Sequence, residues 1–166
     1  MDFCKRLYIE TKDYHKQVDI HPFVELIKVQ EDAGKNYMIF NIKCIEEIQK
    51  HIKLKDVILQ EKLYRKNTFD ENLTKNSKSL ELLIERCKAY PLEHLYMFIL
   101  GLLKGGNILK KSISEEYHEY LTYTNPKELS VEFKNYLNVN VINEDLFIEN
   151  VKKSYDLIKN VFDDLI

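Results

Sequence analysis

Leu92-Glu93-His94-Leu95-Tyr96-Met97-Phe98-Ile99-Leu100-Gly101-Leu102-Leu103-Lys104-Gly105-Gly106-Asn107-Ile108-Leu109-Lys110-Lys111 is the stretch on which the reading of this chain turns. It is apolar enough to be a buried helix, yet it holds three of the four glycines in the chain, Gly101, Gly105 and Gly106. An interior glycine costs a helix roughly 1 kcal/mol against alanine, so three cost on the order of 3 kcal/mol. That is a large part of a net stability of about 5–15 kcal/mol, and something must offset it. Gly101 and Gly105 are four residues apart and share a helix face. A face without side chains lets another body approach the backbone and lets the helix bend. From spacing alone, that body is equally a flat ligand or a neighbouring helix.

The rest of the chain reads as helices around this one. With only 4 Gly and 3 Pro there are few breakers, which favours long helices. A first helix is expected from about Phe3 to Val18, with Leu7, Thr11, Tyr14, His15 and Val18 on one face. Asp19 is expected to cap a short second helix that has Pro22 in its first turn. Gly34 is expected to break the chain before a third helix from roughly Tyr37 to Ile52, where Phe40, Cys44, Ile48 and Ile52 recur every fourth residue. Val57 to Tyr64 reads as another helix, and Asn67 to Ser77 as a polar loop. Leu80, Leu83, Ile84 and Cys87 mark a helix closed before Pro91. Glu115 to Tyr123 reads as a turn or two. Asn125-Pro126 starts a helix to about Leu137, followed by a weak alternation over Asn138 to Ile142. Asn143 caps the last helix, with Phe147, Val151, Tyr155, Ile158, Phe162 and Leu165 as its stripe. The expectation is an all-α bundle forming one domain over residues 1–166.

Composition narrows the function. Hydrophobic residues make up 45% and charged residues 31%, with a net charge of -2, so the basic excess of a general nucleic-acid binder is missing. No apolar run reaches the roughly 20 residues that span a bilayer, so no membrane span is expected. Cys4, Cys44 and Cys87 are isolated and odd in number, which favours free thiols in a reducing, cytoplasmic setting over zinc or disulfides.

Two segments resemble one family. Leu100 to Lys111 looks like the distal-helix signature of the haem oxygenases, and Thr11-Lys12-Asp13-Tyr14-His15-Lys16-Gln17-Val18-Asp19 looks like their proximal-helix signature. Their order agrees with the family, and the resemblance covers nearly the whole chain. It implies a helical bundle in which haem lies between a proximal and a distal helix. His15 would be the iron ligand, and Gly101, Gly105 and Gly106 would admit the macrocycle at the distal backbone. Tyr96 and Lys134 would meet the haem carboxylates. The implied activity is that of an oxidoreductase that opens haem to biliverdin, iron and carbon monoxide. Haem is then both substrate and cofactor, molecular oxygen is consumed, and an external donor such as a ferredoxin or flavin reductase supplies electrons. The resemblance assigns catalytic positions to Gly101, Leu102 and Gly105.

The chain departs from the pattern at three places. The family commonly carries Asp directly after the first distal glycine, where it anchors waters that deliver protons to bound oxygen. Here the residue is Leu102, which has no donor or acceptor. Asn138 stands where an arginine is expected, and Tyr8 where a lysine is expected. Lys12, Lys16, Lys104, Lys110 and Lys111 offer a basic rim for an acidic electron donor. Water held by backbone groups or by Asn107 is the sequence-level substitute for the missing carboxylate.

Three other functions compete. A non-catalytic haem carrier or sensor on the same scaffold is favoured by Leu102. A different ligand on a related scaffold, such as a di-iron site, would use Glu-x-x-His pairs, of which Glu115-Glu116-Tyr117-His118 is one. A helical interaction module would leave His15 incidental and the glycines as packing.

Overall fold

A computed structural model describes residues 1–166, all of the chain. It holds eight α-helices and one 3-10 turn: α1 Phe3–Asp19, α2 Pro22–Val29, α3 Glu31–His51, α4 Val57–Leu63, α5 Lys78–Ala89, α6 Pro91–Leu109, α7 Pro126–Asn140 and α8 Glu144–Leu165, with the 3-10 turn at Glu115–Tyr117. The all-α expectation is met, and no strand forms.

Local chemistry sets most helix starts. Asp2, Asp56, Ser77 and Asn143 each accept a hydrogen bond from the backbone N–H three residues on, the N-cap geometry. Pro22, Pro91 and Pro126 open α2, α6 and α7, at a position where a missing N–H costs nothing. Asn125, before Pro126, adopts the left-handed conformation, at φ 51°, which asparagine tolerates better than most residues.

Two expected boundaries are corrected. Asp19 ends α1, and the cap of α2 is His21, whose Nδ1 accepts from the Phe23 N–H at 3.0 Å. Gly34 does not break the chain. It sits in the first turns of α3, which begins at Glu31 with Glu31 and Asp32 favourably placed at its positive end. A Cβ on Gly34 would stand 3.2 Å from Ile113 Cδ1, so the glycine serves close packing. The weak alternation after Leu137 does not make a strand, because α7 continues to Asn140.

α8 organises the core. Its expected stripe, Phe147, Val151, Tyr155, Ile158, Phe162 and Leu165, is buried throughout. Fully burying side chains of this kind contributes about 1.5–3 kcal/mol each. α1 and α5 pack along α8, and α3 packs on α2, α5 and α6. Phe162 gathers the rings of Phe23, Phe40 and Tyr37 at 5.0, 5.8 and 6.2 Å, and Phe40 in turn meets Phe98 of α6 at 5.5 Å. The loop at 64–77 is irregular but fastened. Gln49 exchanges two hydrogen bonds with the backbone of Arg65, and the Arg65 guanidinium lies 3.8 Å from the centre of the Tyr123 ring.

α1 and α6 both pack on α7 and α8 but make no substantial contact with each other. Held apart by shared neighbours, they leave a cavity between them.

Candidate functional site

The cavity has a volume of about 710 Å³, within the range of small-molecule sites. Its lining is mostly apolar. α8 and α3 supply an aromatic floor through Tyr155, Phe162 and Phe40. α1 supplies one wall and α6 another.

His15 stands on the α1 wall. Its side chain is 55% exposed, its ring lies 5.3 Å from that of Tyr155, and its Nδ1 is 3.6 Å from Asp19 Oδ2. That separation is just outside hydrogen-bond range. A carboxylate beside Nδ1 favours the tautomer with the proton there and leaves Nε2 as a lone-pair donor.

His15 is the only histidine lining the cavity, and the others are committed elsewhere. His21 uses Nδ1 as the α2 cap and bonds Asp163 through Nε2 at 2.7 Å. His94 lies between the Tyr90 carbonyl and the Ser154 hydroxyl, each at 2.7 Å, and burial pushes its pKa down to about 4. His51 bonds the Glu47 carbonyl, and His118 the Ile113 carbonyl. With His118 so engaged, Glu115-x-x-His118 has no partner, and nowhere do three His, Cys, Asp or Glu side chains converge as a metal site would require. The di-iron alternative therefore has no residues to build on.

α6 runs through its glycines without a break. The cluster divides into two roles. A Cβ on Gly101 or Gly105 would meet nothing within 4 Å, and both residues line the cavity. Gly106 faces the other way. A Cβ there would stand 2.8 Å from the Leu121 carbonyl oxygen, so Gly106 is a packing glycine and not part of the cavity wall. Gly101 and Gly105 thus face open cavity, whereas Gly106 packs against the backbone at Leu121. Leu102 also lines the cavity and is 6% exposed.

Tyr96 lines the cavity, and burial pushes its phenol up to about 12. Lys134 is not on the cavity wall; it lies beside Lys104, which is. Burial, and then Lys134, lower the Lys104 ammonium to about 8. Neither lysine has a carboxylate partner in an ion pair, so the two form a positive spot at the cavity edge. Sequence reading placed Lys104 only in an outer rim, because nothing in the spacing shows that α7 brings Lys134 against it. Asn138 is spent on structure: its Oδ1 accepts from the Cys4 N–H at 2.8 Å and ties α7 to the start of α1. Asn107 is exposed outside the cavity, and its Oδ1 accepts from Lys110 Nζ.

Asn41 was missed by the sequence reading. It is 4% exposed and lines the cavity from α3. One polar residue in an apolar helical face is the signal that could have found it.

No established family profile matches the chain. No curated protein matches it either. Solved structures do. Haem oxygenase-1 from the cyanobacterium Synechocystis, solved in complex with haem, superposes with a TM-score of 0.78 at 18% identity, covering 99% of this chain and 92% of that one. Haem oxygenase from Leptospira interrogans superposes with a TM-score of 0.77 at 18% identity, covering 99% of this chain and 100% of that one. At such identity it is the path of the backbone that is shared, and this chain has the haem oxygenase fold.

Proposed function

We propose that the chain binds haem in the cavity between α1 and α6 and opens it oxidatively to biliverdin, iron and carbon monoxide, with electrons from an external donor. The observation that carries the reading is a single cavity with His15 on its α1 wall and the bare backbone of Gly101 and Gly105 on its α6 wall. The residues present fit the group. A flat, apolar disc suits an aromatic floor, and side chains at 101 and 105 would project into the space it needs. When bound, haem supplies an iron centre that activates oxygen and a macrocycle edge that receives it.

The chain's own residues do the rest. Nε2 of His15 would hold the iron, with the Asp19 carboxylate beside Nδ1. Lys104, next to Lys134, takes the carboxylates of the ligand, and Tyr96 stands along the same wall. Gly101 and Gly105 hold the ligand close to α6, which puts reacting atoms in one oriented complex. Leu100 and Leu102, both buried, line the same side with apolar surface. Lys12 and Lys104, which are exposed and outside every ion pair, begin a positive rim for an acidic electron donor. No helix is long and apolar enough to cross a membrane.

A haem carrier on the same scaffold is the second reading, and Leu102 favours it, because a buried leucine cannot organise proton delivery. One experiment separates the two. Haemin is added, the Soret band is recorded, and the complex is reduced in air with the product identified by mass spectrometry. Biliverdin supports the enzyme. Haem that binds and persists in wild type, with Leu102→Asp restoring no biliverdin, establishes the carrier instead. Absence of any Soret shift defeats both.

A further inference from the structure

Two of the apolar residues that line the cavity are left in solvent at its mouth. Tyr8 on α1 is 64% exposed, and Ile108 on α6 is 69% exposed. Each stands four residues from an exposed lysine that also lines the cavity, Tyr8 from Lys12 and Ile108 from Lys104. At that spacing the two side chains share a helix face. Each lip therefore presents one apolar group and one ammonium. Lys16, one turn beyond Lys12 and exposed, extends the row on α1. None of Lys12, Lys16 and Lys104 takes part in an ion pair.

The chain as a whole has a net charge of -2, so the positive charge at the mouth is local. Asp19 is the only carboxylate among the lining residues, and it sits beside His15. Lys28, the remaining lysine of the lining, is already paired with Glu25 at 3.2 Å. Exposed apolar side chains next to free ammonium groups suit a boundary between hydrocarbon and anionic headgroups. There the aliphatic stems of lysine lie along apolar surface and their heads reach the phosphates. An acidic protein face answers the lysines alone, whereas an anionic bilayer answers the lysines and the apolar groups together.

We propose that the cavity mouth docks on an anionic lipid surface and takes its ligand directly from the bilayer. This rests on the haem reading of the site. Tyr8 and Ile108 enter the headgroup region, and Lys12, Lys16 and Lys104 meet lipid phosphates. The cavity then opens to lipid instead of water. A flat apolar disc passes from one apolar environment to another without first being hydrated. The carboxylates of the ligand arrive at Lys104 and cancel charge there, so the loaded chain holds the surface more weakly and frees its rim for the electron donor.

The test starts from ligand-free protein sedimented with vesicles of phosphatidylcholine, alone or mixed in equal parts with phosphatidylglycerol. Binding is expected to the mixed vesicles only, and it should weaken as salt rises. One lysine near such a surface is worth about fivefold in partition, so the charge reversal Lys16→Glu should weaken binding at least about tenfold. Ile108→Asp should weaken it by about the same factor; Tyr8→Asp replaces it if that variant does not fold. Haemin preloaded into vesicles should reach wild type, followed by its Soret band, at least about tenfold faster from the mixed vesicles. No sedimentation with mixed vesicles overturns the inference. Loss of binding in Lys16→Glu but not in the apolar-lip variant also overturns it, because the face then reads charge alone, as an acidic protein would. In both cases a Soret shift with haemin in vesicle-free buffer leaves the haem reading standing. A wild type that shows no such shift overturns both.

Discussion

His94 has no exposed surface and uses both ring nitrogens inside the bundle, on Tyr90 and Ser154. Arg86 completes the knot, donating to the Ser154 hydroxyl at 2.8 Å and to the Asn150 carbonyl at 2.9 Å. Burial lowers the His94 pKa from the ordinary 6.5 to about 4. The unfolded chain therefore takes up a proton that the folded chain refuses. The stability this group contributes is complete above pH 6.5 and is lost as pH falls from 6.5 to about 4, by about 3 kcal/mol in all. Urea midpoints measured across that window should fall for wild type and fall less steeply for His94→Gln; parallel slopes would refute the assignment. The neighbouring question is which histidine meets iron. His15→Ala should abolish the histidine-ligated haemin spectrum. His21→Ala should keep that spectrum and lose about 1 kcal/mol of stability, because His21 is a helix cap. The reverse outcome would make His21 the ligand.

At the scale of the element, α6 carries a conflict between stability and function. Gly101 and Gly105 cost the helix its propensity and fill no packing need, since a Cβ at either would meet nothing. Gly101→Ala and Gly105→Ala should each stabilise the ligand-free protein, by up to roughly 1 kcal/mol. Gly105→Leu should fold equally well and bind haemin at least about tenfold more weakly, given the ~1–3 kcal/mol typical of overpacking. Gly106→Ala should behave oppositely and destabilise, because its Cβ would press on the Leu121 carbonyl at 2.8 Å. Thermal melts with and without haemin check all four variants. If Gly106→Ala stabilised the protein, or Gly105→Leu left haemin affinity unchanged, the division of the glycines into cavity and packing roles would be wrong.

For the whole molecule, the cavity exists because α1 and α6 are held by α7 and α8 and hardly by each other. A ligand that touches both walls adds contacts between two helices that share few of their own. Haemin at a hundredfold excess over its Kd should stabilise the fold by about 2.7 kcal/mol, raising Tm by roughly 5–10 °C for a chain of this size. No rise at saturation would argue against binding between the walls. Electron delivery through the Lys12 and Lys104 rim should slow as salt rises from 10 to 200 mM, on the order of the change in Debye length from about 30 to below 10 Å. A rate indifferent to salt would place the donor elsewhere.

The sequence by itself determined the helices, because their signals are local. Scarce breakers, caps such as Asn143, prolines at first turns and the four-residue recurrence on α8 all act within a few residues of one another. It also marked His15 and the glycine helix, through the resemblance of two short motifs to haem oxygenases. What lies across helix boundaries was decided only in three dimensions. Gly101 and Gly106 look alike in the sequence, and only the approach of the Leu121 carbonyl separates packing from cavity. Asp19 reads as a cap, yet the turn at Ile20 puts His21 in that role and leaves Asp19 beside His15. Lys104 and Lys134 are remote in the chain and adjacent in the fold. Asn41 is one polar residue in a helical repeat, and only the packed fold shows that it lines the cavity. A helix is specified by neighbours in sequence, whereas a cavity is specified by side chains that meet only after several helices have packed.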